Sequence, residues 1–186
     1  MKRLFDLVLC TIGLLLLSIP MLFVATLVKL TSKGPIFFRS ARVGRHNRQF
    51  SMIKFRSMHV NTPVVATHLL KNTSLALTPI GSFLRKTSLD ELPQLFNILI
   101  GEMSLVGPRP ALHNQYDLIA LRTAAGVHTL LPGLTGWAQV NGRDELTVET
   151  KVRYDQEYLS RQSISFDIWI LWLTVVKVFN QDGISH

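Results

Sequence analysis

The chain has 186 residues, with 20 Lys and Arg against 12 Asp and Glu for a net charge of +8; 47% of residues are hydrophobic and only 17% are charged. That length suits one domain, and the composition excludes a disordered chain, a collagen and a disulfide scaffold, while the single Cys10 can make neither an intramolecular disulfide nor a cysteine zinc site. A charged fraction well below the quarter usual for soluble domains points to apolar residues that face lipid.

From Leu7 to Val28 run 22 residues without a charge, LVLCTIGLLLLSIPMLFVATLV, with Lys2 and Arg3 before them and Lys29 and Lys33 after. A straight helix of about 20 residues crosses the hydrocarbon core. The run exceeds the apolar stretch of a signal peptide, and no small-x-small cleavage site closes it. Pro20 falls in its middle, where it strips the carbonyl of Leu16 of its helical donor and costs about 3 kcal/mol; the Ser18 hydroxyl offsets part of that. Both flanks are basic, and positive charge favours the cytoplasmic side. A break at Ser18 to Pro20 leaves two arms of about 10 residues, each about 15 Å long, enough to reach mid-bilayer and return. A kinked spanning helix fits the same residues.

No acidic residue occurs between Asp6 and Asp90, a stretch that holds 11 Lys and Arg. So unmixed a basic surface must meet an anion: nucleic acid, lipid headgroups or a phosphorylated substrate. Residues 35–44 and 49–58 are extended runs separated by RHNR, which predicts a hairpin with Phe37, Phe38, Phe50 and Phe55 interleaved with Arg39, Arg42, Lys54 and Arg56. Alternation puts Lys54 and Arg56 on one face. Residues 60–78 predict a loop, 80–86 a helix, Ser88 to Ile100 a second helix, and VGPRP and LLPGLTGW further loops. DIWILWLTVVKVF predicts a C-terminal helix too short to span, whose Trp169 and Trp172 suit either a membrane interface or an ordinary core.

The densest chemistry lies in residues 85–110. Ser88-Leu89-Asp90-Glu91 has the capping-box pattern and puts both carboxylates in a first helical turn. Acidic residues there usually only complement the helix dipole. These two, however, follow Arg85 and Lys86 and are the first acids after 83 residues without one. Carboxylates in a phosphate-binding surface invite Mg²⁺, and a carboxylate can itself attack phosphorus to give an acyl phosphate. Arg109, between Pro108 and Pro110, loses little backbone entropy on engaging an anion. GxxxxGK[ST], GxGxxG and HExxH are absent and the six His show no metal-ligand spacing. A nucleotide would therefore bind through neither common phosphate loop.

Several blocks stand in one order: Lys2-Arg3-Leu4-Phe5-Asp6, Ser18 to Pro20 in the apolar run, GPIFFRSARVG, Lys54-Phe55-Arg56-Ser57-Met58, Ser88 to Leu95, Gly107-Pro108-Arg109-Pro110, and PGLTGWAQVNGR ending at Arg143. In these the chain resembles the small monotopic phosphoglycosyl transferases of bacteria, which move sugar-1-phosphate from a UDP-sugar onto polyprenol phosphate. The resemblance implies a mixed α and β fold: residues 1–30 form a re-entrant membrane helix broken at Ser18 and Pro20, and residues 31–186 one compact, largely helical catalytic domain with a small β-hairpin and membrane-surface amphipathic helices. It implies that Asp90 is the nucleophile of a ping-pong reaction and that Glu91 assists at the metal or as a base. Asp90 and Glu91 would hold Mg²⁺, and Lys54, Arg85, Arg109 and Arg143 would face phosphates. The implied partners are a UDP-sugar, undecaprenyl phosphate and membrane phospholipid, with no nucleic acid, at the cytoplasmic face of a bacterial inner membrane. With no further transmembrane segments before the domain, the chain resembles the minimal form.

Two departures qualify the match. Leu131 stands where the family often has Arg, and Ile19 separates Ser18 from Pro20 where the family often has them adjacent. A reading from another class is a membrane-anchored basic protein that binds nucleic acid or anionic lipid through residues 36–57; it leaves Asp90 and Glu91 unexplained. A multi-spanning transferase fails because there is one long apolar run. Residues 60–78, 111–130 and 141–150, which would line a donor pocket, name no sugar.

Overall fold

A computed structural model describes residues 1–63, 73–142 and 145–180. Along the chain come α1 (Lys2–Thr31), β1 (Phe37–Val43), β2 (Gln49–Phe55), the single turn α2 (Thr73–Ala76), α3 (Gly81–Lys86), α4 (Gln94–Ile100), β3 (Ser104–Val106), β4 (Ala111–Leu112), α5 (Tyr116–Ala124), β5 (Gly133–Thr135), α6 (Trp137–Val140), α7 (Val148–Arg161) and α8 (Ile164–Asn180). The mixed α and β class read from the sequence is the one observed.

The apolar run is one continuous helix of 30 residues with Pro20 inside it, long and apolar enough to cross a membrane. The residues leave a break at Ser18 to Pro20 and a kinked helix both open, and the family resemblance implies the break; the helix is continuous through both. Proline removes a single N–H from the ladder, and Ser18 Oγ donates to the carbonyl of Leu15 at 2.8 Å, so any change of direction there is a bend within the helix.

Both ends of α1 are fastened to the rest of the chain. At its start Lys2 Nζ lies 2.6 Å from Asp167 Oδ2, and Arg3 donates to the carbonyls of Ile98 and Leu99 at 2.6 and 2.9 Å. Buried Asp6 accepts from the Ser104 hydroxyl at 2.8 Å and the Leu105 N–H at 3.3 Å. At its end Arg56 donates to the carbonyl of Ser32, the C-cap, at 2.9 Å and to those of Lys33 and Pro35 just beyond the helix at 2.8 and 2.7 Å. Arg56 lies one residue past β2 and is committed to this clamp, whereas Lys54 within the strand points to the acidic pair. Between the two anchors Leu15, Leu16, Ile19, Leu22 and Phe23 stand 64–80% exposed.

The predicted hairpin forms: β1 pairs antiparallel with β2, Phe37 opposite Phe55 and Phe38 opposite Lys54. β1 also pairs with β4, which sets Arg42 opposite Leu112 and gives the order β2-β1-β4. The Gly- and Pro-rich segments expected to be loops instead flank and build a second, parallel pair, β3 with β5. Glycine makes this pairing possible, because a β-carbon on Gly107 would lie 2.4 Å from the Leu131 carbonyl and one on Gly133 2.1 Å from the Gly107 nitrogen.

Two apolar clusters hold the parts together. One joins Cys10 of α1 to Leu95, Ile98, Met103, Val106, Tyr158, Phe166 and Ile170; the other joins Met21, Val24 and Val28 to Phe55 and Leu84. The C-terminal segment is a helix as predicted, and its tryptophans are not core: Trp169 and Trp172 are 51% and 59% exposed, beside exposed Ile168 and Val175.

Candidate active site

The acidic pair is presented by a local backbone distortion. Ser88 adopts a left-handed conformation (φ 57°), uncommon for a residue with a side chain, and turns the chain from α3 into the short 3₁₀ turn Leu89–Glu91. This departs from the predicted capping box: the Ser88 side chain caps nothing, and the Glu91 N–H bonds the Ser88 carbonyl at 3.1 Å. Regular helix starts at Gln94, because Pro93 has no N–H to give and fits only at a helix entrance.

Asp90 is buried at this turn. Burial pushes its carboxyl above the usual carboxylate range and Glu91 pushes the same way, while Lys54, Arg85 and Arg109 pull it down. Glu91 Oε1 meets Lys54 Nζ at 2.6 Å and Arg109 Nη2 at 3.2 Å. Arg85, in the last turn of α3, directs Nη1 toward Met58 Sδ at 3.6 Å. The structure thus brings together five of the residues singled out from the sequence: Asp90, Glu91, Lys54, Arg85 and Arg109. Arg143 lies outside the described residues. Ser18 and Pro20 are not part of this cluster, since they sit in the exposed middle of α1.

Three residues join the site that sequence reasoning did not assign to it. Arg42, on the central strand β1, donates to the Pro110 carbonyl at 3.3 Å; burial first, then Arg109, lowers its guanidinium to about 10, against the pull of Glu91. Its signal was present in the hairpin pattern, but the crossing of β1 by β4 that carries it to the Pro-Arg-Pro segment was not. Arg122 of α5 donates to the Arg109 carbonyl at 2.7 Å and, through Nε and Nη2, to Asp155 Oδ2 of α7 at 2.9 and 2.7 Å. No spacing announces that pair, because its members lie 33 residues apart on different helices.

Chemically this is a buried carboxylate among cations from three segments, β2, α3 and the Pro-Arg-Pro turn, an arrangement whose charge suits a polyanion. Among the described residues no group of three or more His, Cys, Asp and Glu could cage a metal. Two adjacent carboxylates suit Mg²⁺ shared with substrate phosphate oxygens, which needs only one or two protein carboxylates.

Residues 1–181 match the model of a family described as bacterial sugar transferase. The chain is 46% identical over 189 residues to the UDP-glucose:undecaprenyl-phosphate glucose-1-phosphate transferase of Xanthomonas campestris pv. campestris, and 44% identical over 187 residues to that of Escherichia coli (strain K12). These alignments cover 97% and 96% of this chain but 39% and 40% of the relatives, so the chain spans about two-fifths of their length. It is 41% identical to the uncharacterized sugar transferase EpsL of Bacillus subtilis (strain 168), over 100% of this chain and 91% of that protein.

Proposed function

The chain belongs to the bacterial sugar transferase family, and from that premise we propose that it transfers sugar-1-phosphate from a UDP-sugar to undecaprenyl phosphate through an intermediate held on Asp90. The observation that carries the reading is the buried Asp90 carboxylate among Lys54, Arg85 and Arg109. An Asp90 oxygen attacks the β-phosphorus; the bond from that phosphorus to the bridging oxygen breaks, and UMP leaves with the electron pair. A phosphate oxygen of the acceptor then attacks the same phosphorus and the carboxylate departs, restored. Phosphoryl transfer asks the protein mainly for positioning and charge stabilisation, which fixed cations supply. Glu91 holds Lys54 and Arg109 through one oxygen and so keeps both cations aimed at the reacting phosphate. Asp90 and Glu91 would hold Mg²⁺, which when bound offsets the charge of the diphosphate.

The same reading makes the protein monotopic. A helix whose two ends are both clamped to one domain cannot leave them on opposite sides of a bilayer, so the exposed apolar middle of α1 enters the membrane and returns. The basic flanks put the domain on the cytoplasmic face. Exposed Trp169 and Trp172 on α8 suit the interface of that membrane. Cysteines introduced as Leu4→Cys and Lys33→Cys should therefore react with an impermeant maleimide in inverted membrane vesicles and be protected in right-side-out ones. Reaction of one of them from the outside would establish a spanning helix instead.

The reaction itself is tested by UMP release from a panel of UDP-sugars with purified protein, Mg²⁺ and undecaprenyl phosphate. Multiple turnovers are expected for at least one donor, and only with the acceptor present. No release from any donor would overturn the assignment. Salt-sensitive nucleic-acid binding in its place would favour the basic anchored protein, a reading that gives the buried Asp90 no task.

A further inference from the structure

A cavity of about 230 Å³ opens beside the acidic pair. Its walls come from Leu171, Val175 and Val178 of α8, from Leu134 and Val140 across from them, and from Leu92 just beyond Glu91. Val175 and Val178 also belong to the exposed apolar face of α8, so the cavity is continuous with the face that carries Trp169 and Trp172. The polar lining is Ser88, Glu91, Gln139, Lys177 and the pair Thr135 and Thr174, whose hydroxyls bond each other at 2.7 Å. Gln139 is buried, its Nε2 donating to the Leu134 carbonyl at 3.2 Å and its Oε1 turned toward Gly136 rather than into the cavity. Lys177 makes no ion pair among the described residues.

The ligand this lining suits has an anionic head near Glu91, where Lys54 and Arg109 meet at one carboxylate oxygen, and an apolar body along the α8 wall. A nucleotide sugar, polar along its length, would bury unpaired groups against these walls. We propose that the cavity is the acceptor-lipid site: the phosphate of a polyprenyl phosphate lies at the Glu91 end, its first isoprene units lie between α8 and the β5–α6 segment, and the rest of the chain leaves over Val175 and Val178 into the bilayer. Lys54 and Arg109, which meet at Glu91, supply the counter-charge at that end. This proposal rests on the reading that undecaprenyl phosphate is the acceptor.

Val175 is half exposed, so a larger side chain there narrows the mouth without opening the core. In Val175→Trp the KM for undecaprenyl phosphate should rise at least tenfold while the KM for the UDP-sugar moves less than twofold. Equal movement of both, or of neither, overturns the proposal. The second measurement needs no turnover. An undecaprenyl phosphate analogue with a diazirine in its first isoprene units, irradiated with the unaltered chain, should label residues 134–140 and 171–178, and excess undecaprenyl phosphate should abolish that label. Label confined to other segments, or removed by UDP-sugar alone, overturns the site. If no donor releases UMP, the function fails while the labelling still decides what the cavity holds.

Discussion

Asp90→Asn is expected to lose UMP release and sugar-phosphate transfer together, by about 10³-fold or more, because the amide has no oxygen able to displace a phosphoryl leaving group. The shape of the buried side chain is kept, so the variant should stay folded, as circular dichroism would check. A loss of transfer with intact UMP release would instead assign Asp90 to the acceptor step. The pH profile carries a sign. Burial is the largest influence on Asp90 and raises its carboxyl; Glu91 also raises it, while Lys54, then Arg85 and Arg109, lower it. The acid limb of kcat/KM for UMP release, which reports the free enzyme, should thus lie above the ordinary carboxylate value of about 4. Lys54→Met removes the strongest lowering charge and should move that limb to higher pH; Glu91→Gln should move it lower. A limb that ignores both substitutions would mean that another group titrates.

Much of this site was legible because its parts are local or marked by unusual residues. A charge-free run, an acid-free stretch of 83 residues and a Pro-Arg-Pro segment are visible without any tertiary information. The hairpin was legible because alternation and a polar turn are properties of neighbours. Long-range pairing was not legible. The parallel strands β3 and β5 are three residues each, too short for any periodicity, and their glycines read as loop signals although they permit two backbones to touch. The capping box failed for a related reason: the pattern fits, yet Pro93 and the left-handed Ser88 let the acids sit in a tight turn ahead of the helix rather than in its first turn. Arg56 shows the limit of face counting. It was grouped with Lys54 by alternation, but the strand ends between them and Arg56 closes the end of α1.

Arg122→Met is expected to produce the largest loss of stability, about 3–5 kcal/mol, because it leaves Asp155 buried without its counter-charge. For a chain of this size that lowers the melting temperature by on the order of 10 °C. Asp155 is held above the usual carboxylate range by burial, with Arg122 pulling against it, so loss of Arg122 raises it further. A carboxyl that is higher in the folded than in the unfolded chain contributes stability that is fully present below its unfolded value and fades as pH rises through its folded value. The deficit of the variant should therefore narrow as pH falls from 8 toward 5. A deficit of equal size at both would mean that lost packing, not a stranded charge, is the cause. Activity should fall as well, about tenfold, since Arg122 also holds the Arg109 carbonyl and a small displacement of a phosphate-binding side chain is expensive. Arg122→Lys separates the two effects. It restores a positive charge beside Asp155 and so most of the stability, but it lacks the forked donor that reaches Asp155 and Arg109 at once, and its kcat should stay close to that of Arg122→Met.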